Sequence, residues 1–262
     1  MTDSYSNHAT GLLVSIPVTG CRVHADGAVT ETEAEIICEK ELEISVNGTP
    51  AFLLTCTPEH LTELTLGRLC TAGIIRHAED VEHLFICGEG NIAEVRLREG
   101  IGFKAASVAE PTCCTGNRQY LQGTGGEMPE GLPPASFTPE DVFTLAEYFR
   151  KDSALHKSTG GTHSCYIRFG DGSIGSFEDI GRHNALDKAV GAMLLKHEDP
   201  GKCMLYTSGR VPADMAEKVI RAGIPVLISK AVPTDRGIRL AEQYGLRLLV
   251  RAGTDHFEEM HL

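Results

Sequence analysis

Several signatures that would fix a function at once are missing from this 262-residue chain. Its nine cysteines contain no Cys-x-x-Cys pair, so the usual structural zinc site is absent and no structural metal is expected. Gly-x-x-x-x-Gly-Lys does not occur, and the Gly-x-Gly-x-x-Gly string at Gly170 to Gly175 lies between two expected strands rather than opening a helix, so neither standard nucleotide-binding fingerprint applies. No run of roughly 18 apolar residues exists, and no membrane span is expected. The polar start, Met1 to Thr10, lacks the basic-then-apolar order of a secretory signal, so the expected location is cytoplasmic. Basic residues are the minority: 24 Lys and Arg face 36 Asp and Glu, a net charge of −12. That balance argues against nucleic acid, whose backbone is bound by clustered Lys and Arg, but leaves room for a nucleotide in a local pocket. The eleven histidines are scattered without the cadence of a metal site.

The length suits one large or two modest domains. Glu41 to Val46 alternates, Asn47-Gly48 is a hairpin turn, and Ala51 to Cys56 reads as the partner strand. Before it, the first 30 or so residues read as a lead-in with one strand near Gly20 to His24. Thr57 is expected to cap a helix with Pro58 in its first position. Two short strands follow near Val81 to Cys87 and Ile92 to Leu97. From Ala109 to Pro134 glycine and proline crowd the chain and regular patterning stops, the mark of a functional loop. A helix is expected from Thr138 to about Lys157. Beyond Thr162, strands alternate with helices, which predicts a sheet with mostly parallel neighbours. The boundaries are a strand-rich region over 1–134 and an α/β domain over 135–262.

Candidate chemistry gathers in three places. Cys113 and Cys114 lie in the Gly/Pro-rich loop beside Arg118, where a thiol ionises more readily. The other seven cysteines, Cys21, Cys38, Cys56, Cys70, Cys87, Cys165 and Cys203, read as small buried hydrophobes. A thiol in a loop suits collecting a group at one place and delivering it at another, as in sulfur carriage through a persulfide. The second place is Thr159-Gly160-Gly161-Thr162-His163, where backbone amides are candidates for a phosphate. The third is Glu178 to Lys188, E-D-I-G-R-H-N-A-L-D-K, with Arg182, His183 and Asn184 as donors near a helix start. Asp187 and Lys188 are read as bracing each other. Ser208-Gly209-Arg210 and Ser229-Lys230 repeat the strand-to-loop arrangement, so several strand ends are expected to frame one pocket for a phosphorylated or nucleotide ligand.

The strings T-G-G-T-H, F-E-D-I-G-R-H-N-A-L-D-K, T-S-G-R, K-V-I-R-A-G-I-P-V-L-I-S-K-A-V-P-T and L-L-V-R-A-G-T resemble the formate dehydrogenase accessory sulfurtransferase family, FdhD. The resemblance implies a cytidine-deaminase-like three-layer α/β C-terminal domain with a smaller strand-rich α+β N-terminal domain, in a homodimer. It also implies sulfur transfer from a cysteine desulfurase to the molybdenum or tungsten bis(molybdopterin guanine dinucleotide) cofactor, as bound substrate, before insertion into formate dehydrogenase. The cofactor-contacting segment of that family falls here on Leu249, Val250, Arg251, Ala252, Gly253 and Thr254. The family's loop motif, Cys-Gly-x-Cys-Gly, is incomplete: Cys113 matches the first cysteine and Gly116 replaces the second. Cys113 is therefore the expected persulfide nucleophile, and Cys114 either substitutes for the missing thiol or stands idle. Whether His163 or His183 handles protons or only binds ligand is left open. A zinc deaminase's proton-shuttle Glu and Pro-Cys-x-x-Cys are absent, which argues against hydrolytic deamination. The rival reading is a non-catalytic chaperone that binds the cofactor or the enzyme and moves no sulfur.

Overall fold

In the computed structural model, described for residues 5–102, 105–111, 117–121, 128–151 and 153–262, the chain opens with β1 (Tyr5–Asn7). It then forms an antiparallel ribbon of β2 (Ser15–Val23) and β3 (Val29–Ile37), most of whose residues are exposed. Only one strand was expected here, because a ribbon that buries neither face shows no clean apolar alternation. Next come β4 (Lys40–Val46) and β5 (Thr49–Cys56), joined at Asn47 and Gly48 with φ of 51° and 77°, the two-residue turn the sequence predicts. Helix α1 (Leu61–Thr71) follows, then β6 (Val81–Ile86) and β7 (Ile92–Leu97). β8 (Ala105–Pro111) runs into the stretch from Ala109 to Pro134 where regular patterning was expected to stop, and β9 (Arg118–Leu121), which pairs with it, lies inside that stretch. These strands form a seven-stranded sheet of order β1-β6-β7-β4-β5-β9-β8.

The single helix expected from Thr138 is two, α2 (Pro139–Lys151) and α3 (Ala154–Thr159). A second, six-stranded sheet has the order β11-β10-β12-β13-β14-β15, built from β10 (His163–Arg168), β11 (Ile174–Asp179), β12 (Met204–Thr207), β13 (Val226–Ser229), β14 (Arg247–Val250) and β15 (Glu258–Glu259). Between these run α4 (Arg182–Leu195), α5 (Ala213–Arg221) and α6 (Asp235–Tyr244). The fold is mixed α/β with several sheets. Mostly parallel pairing was expected for the second sheet, where among the described residues β12–β13 and β13–β14 are parallel. β10 is antiparallel to β11, to which a tight turn rather than a helix joins it, and also to β12, and β14 is antiparallel to β15.

The second sheet is apolar on both faces. Cys165, Ile167, Leu205, Leu227 and Leu248 face α4 and α5, while Tyr166, Tyr206, Ile228 and Leu249 face Val142 and Leu145 of α2. The first of these cores runs on through α1 to Leu42, Ile44, Phe52 and Leu54 of the first sheet. Helices α1 and α4 meet at glycines: a Cβ on Gly67 would overlap the Asp187 carbonyl, and one on Gly191 the Glu63 carbonyl. Leucine-rich faces were legible in the sequence; this backbone contact was not.

Thr57 does not cap α1, whose N-cap is His60. Thr57 is fully buried and turned toward α4 instead. Among the seven cysteines expected to be buried, Cys56, Cys70, Cys165 and Cys203 are, but Cys21 is exposed on the ribbon and Cys38 and Cys87 are half-buried. Burial pushes the Cys56, Cys70 and Cys203 thiols up to about 12, where little thiolate forms at neutral pH.

Candidate functional site: a strand-end edge

Because β10 runs against β11 and β12, its first residue lies where those strands end: His163 pairs with Asp179, and Cys165 with Thr207. Parallel pairing sets Thr207 beside Ser229, and Ile228 beside Leu249. The strand ends are laced together. Ser208 Oγ accepts the Ser164 N–H at 3.0 Å and stands 3.3 Å from His163 Nδ1. Ser229 Oγ donates to the Gly209 carbonyl at 2.8 Å, the Lys230 N–H donates to the Thr207 carbonyl at 3.0 Å, and the Ala252 N–H donates to the Ser229 carbonyl at 3.0 Å.

Arg182, His183 and His163 meet here. Arg182 lies over Gly209, where a Cβ would come within 2.9 Å of its Cδ, so glycine leaves room for the guanidinium stem. Arg182 Nε is shut off from solvent and has no hydrogen-bond partner among the described residues. An orphaned buried donor is rare and calls for an unseen partner. His183 is buried and its Nε2 lies 2.8 Å from Asp214 Oδ2, in the first turn of α5. Burial first, and then the positive charges of Arg182, His156 and His183, hold the His163 imidazole below its ordinary affinity for protons. His163 is therefore neutral at neutral pH, a hydrogen-bonding group rather than a fixed charge. Arg210, Lys230 and Arg251 are exposed along the same edge.

The rest of the E-D-I-G-R-H-N-A-L-D-K string faces inward. Asp179 Oδ2 takes the Thr57 N–H at 3.0 Å, the Thr57 hydroxyl at 3.1 Å and Lys188 Nζ at 2.8 Å. Its Oδ1 takes the Gly181 N–H and Asn184 Nδ2, both at 2.9 Å. Asp187 and Lys188, read as bracing each other, point apart. Lys188 joins Asp179, while Asp187 receives Lys218 Nζ of α5 and the Thr71 hydroxyl of α1, each at 2.7 Å. Glu178 accepts the Leu155 and His156 N–H groups at 2.8 Å, satisfying the start of α3. These residues were legible as a motif but not as struts, since their partners lie far off in sequence.

Asn184, expected as a ligand donor, is fully buried: its Nδ2 donates to the Thr55 carbonyl and Asp179, and its Oδ1 accepts Asn117 Nδ2 at 2.6 Å. The amides expected for a phosphate are also spent internally, the Gly160 N–H on the His156 carbonyl and the Gly161 N–H on Thr159 Oγ1. Of the C-terminal segment, Leu249, Val250 and Ala252 are buried; Arg251 pairs with Glu258 at 2.8 Å, and the Gly253 N–H bonds the His256 carbonyl. Thr254 lines an open groove with Phe143, Glu147 and Tyr148 of α2. Cys113 and Cys114 lie outside the described residues. Asp214 and Asn117 were not anticipated; Asp214, an acid in a helix's first turn, reads from sequence only as a dipole partner.

Residues 37–259 match the model of the FdhD/NarQ family. A sulfur carrier protein FdhD of Geobacillus kaustophilus is 33% identical over 235 residues, 86% of this chain and 88% of that protein. Another, of Staphylococcus haemolyticus, is 30% identical over 227 residues, 85% and 86% of the two chains. The fold is similar to the crystal structure of a protein from Desulfotalea psychrophila assigned to formate dehydrogenase accessory function, with a TM-score of 0.74 at 23% identity, over 95% of this chain and 98% of that one.

Proposed function

The chain belongs to the FdhD/NarQ family, and from that premise we propose that it is a sulfur carrier serving a formate dehydrogenase. In this reading Cys113 is the carrier thiol. Its thiolate attacks the outer sulfur of a persulfide on a cysteine desulfurase; a new S–S bond forms on Cys113 and the desulfurase cysteine leaves as thiolate. A second thiol then attacks the Cys113 sulfur and becomes disulfide-linked to it, supplying two electrons, and the outer sulfur leaves as hydrosulfide for the metal. The acceptor is the molybdenum or tungsten bis(molybdopterin guanine dinucleotide) cofactor, held as substrate.

The observation that carries the reading is the strand-end edge, where Arg182 Nε has no hydrogen-bond partner among the described residues above a glycine floor. A guanidinium with an unused donor, flanked by exposed Arg210, Lys230 and Arg251, suits the phosphates of a guanine dinucleotide. His163 and Ser208 supply neutral hydrogen bonds beside them. On a molecule of net charge −12, so local a gathering of cations is selective for one anion.

The test is formate dehydrogenase activity in cells lacking their own accessory protein, rescued by wild type, Cys113→Ala, Cys114→Ala or the double variant. Loss of rescue with Cys113→Ala at normal protein level is expected. Full rescue by the double variant overturns sulfur carriage and leaves the cofactor-binding chaperone.

A further inference from the structure

The floor beneath Arg182 has two needs that oppose each other. A Cβ on Gly209 would come within 2.9 Å of Arg182 Cδ and 3.0 Å of its Cβ, so the arginine stem lies on bare main chain. Glycine gives that room, but it also has the widest backbone freedom of any residue. A floor of glycine keeps its shape only if something outside it holds the peptides. Two buried hydroxyls do so. The Gly209 N–H donates to Thr207 Oγ1 at 3.1 Å, and the Gly209 carbonyl accepts Ser229 Oγ at 2.8 Å. Thr207 and Ser229 are both fully enclosed, and they end the neighbouring strands β12 and β13 in register. Ser229 Oγ also accepts the Ala231 N–H at 3.0 Å, so its donor and an acceptor are both spent on main chain. Above this floor, Arg182 Nε is shut off from solvent and has no hydrogen-bond partner among the described residues. A donor already stripped of water gains more from an anion than a hydrated one, provided its position is fixed beforehand.

We propose that Ser229 is a positioning residue for anion recognition: its bond to the Gly209 carbonyl locks the floor that aims the Arg182 guanidinium at a phosphate. The inference rests on the reading of this edge as the site for the cofactor's phosphates. Ser229 is fully buried and touches no phosphate in this scheme. Thr207 holds the other side of Gly209, and the two hydroxyls act as a pair. Without Ser229 the peptide after Gly209 is free to rotate beneath the arginine stem. The Arg182 charge remains, but its aim is lost.

The experiment is a double-mutant cycle. Binding of guanosine diphosphate to the full-length protein is measured by calorimetry for wild type, Ser229→Ala, Arg182→Ala and the double variant. Each single change is expected to weaken binding about tenfold or more. In the Ser229→Ala background, Arg182→Ala should then cost no more than about twofold, because the guanidinium has already lost its aim. Losses that multiply independently overturn the proposal, and so does binding by folded Ser229→Ala within about twofold of wild type. Should Ser229→Ala fail to fold, Thr207→Val takes its place in the same cycle, since it removes the other hydroxyl at nearly equal volume. In the wild type the Gly209 amide should exchange its hydrogen as slowly as the amides of β12, and rapid exchange overturns the proposal. Binding left unweakened by Arg182→Ala alone, or absent from wild type, instead removes the phosphate-site reading and the inference with it.

Discussion

Asp179 takes five hydrogen bonds on two oxygens, and Lys188 is its fully buried counter-charge. Removing one member of such a pair leaves the other charged and dry, a cost of about 3–5 kcal/mol. Lys188→Met should lower the urea midpoint accordingly, with an unchanged slope. His163 gives a pH prediction. Its folded-state affinity for protons is below the ordinary one, so the unfolded chain takes up more protons as pH falls through the ordinary value of 6.5. Stability therefore falls with acidification in that window, and His163→Gln should flatten the curve between pH 7 and 5 in denaturant titrations. At this scale the sequence was half legible. Arg182, His163 and His183 were recognisable as site residues from their polarity at a strand–helix junction. Asn184 carried the same polarity and went inward, because the partners that claim it, Thr55 and Asn117, are placed only by tertiary structure.

Among the elements, α1 and α4 make the closest approach. Glycine inside a helix costs about 1 kcal/mol relative to alanine, so Gly67 and Gly191 run against local propensity. The main-chain contact explains them: each faces a carbonyl of the opposing helix with no space for a methyl group. Gly191→Ala should therefore destabilise, despite its better helix propensity, by about 1–3 kcal/mol or more, read by thermal or urea unfolding. It should also loosen Asp187 from Lys218 and Thr71, which depend on the same spacing. The β2–β3 ribbon lies at the other extreme. Two strands exposed on both faces hold little stability of their own, so limited proteolysis should cut first at its Asp26–Gly27 turn and leave the remainder folded. Strands with one buried face, β4 to β7, were readable from their alternation; the ribbon was not, having no buried face to impose one.

Over the whole molecule, one continuous core joins the inner faces of both sheets through α1 and α4. Its two halves should unfold together. Circular dichroism and an extrinsic fluorophore on the first sheet should report a single coincident urea transition, and two separated transitions would show that the halves fold independently. The sequence divides the chain near residue 134 because composition changes there, yet shared burial leaves no trace in composition. The glycine crossing at the centre of that core also sets terms for redesign. Where helices touch through main chain, their separation does not depend on the side chains packed around them. A library that randomised the neighbouring leucines and valines but spared Gly67 and Gly191 would keep the two sheets aligned on either side of that crossing. A library with the opposite choice would retain every oily residue and lose the alignment.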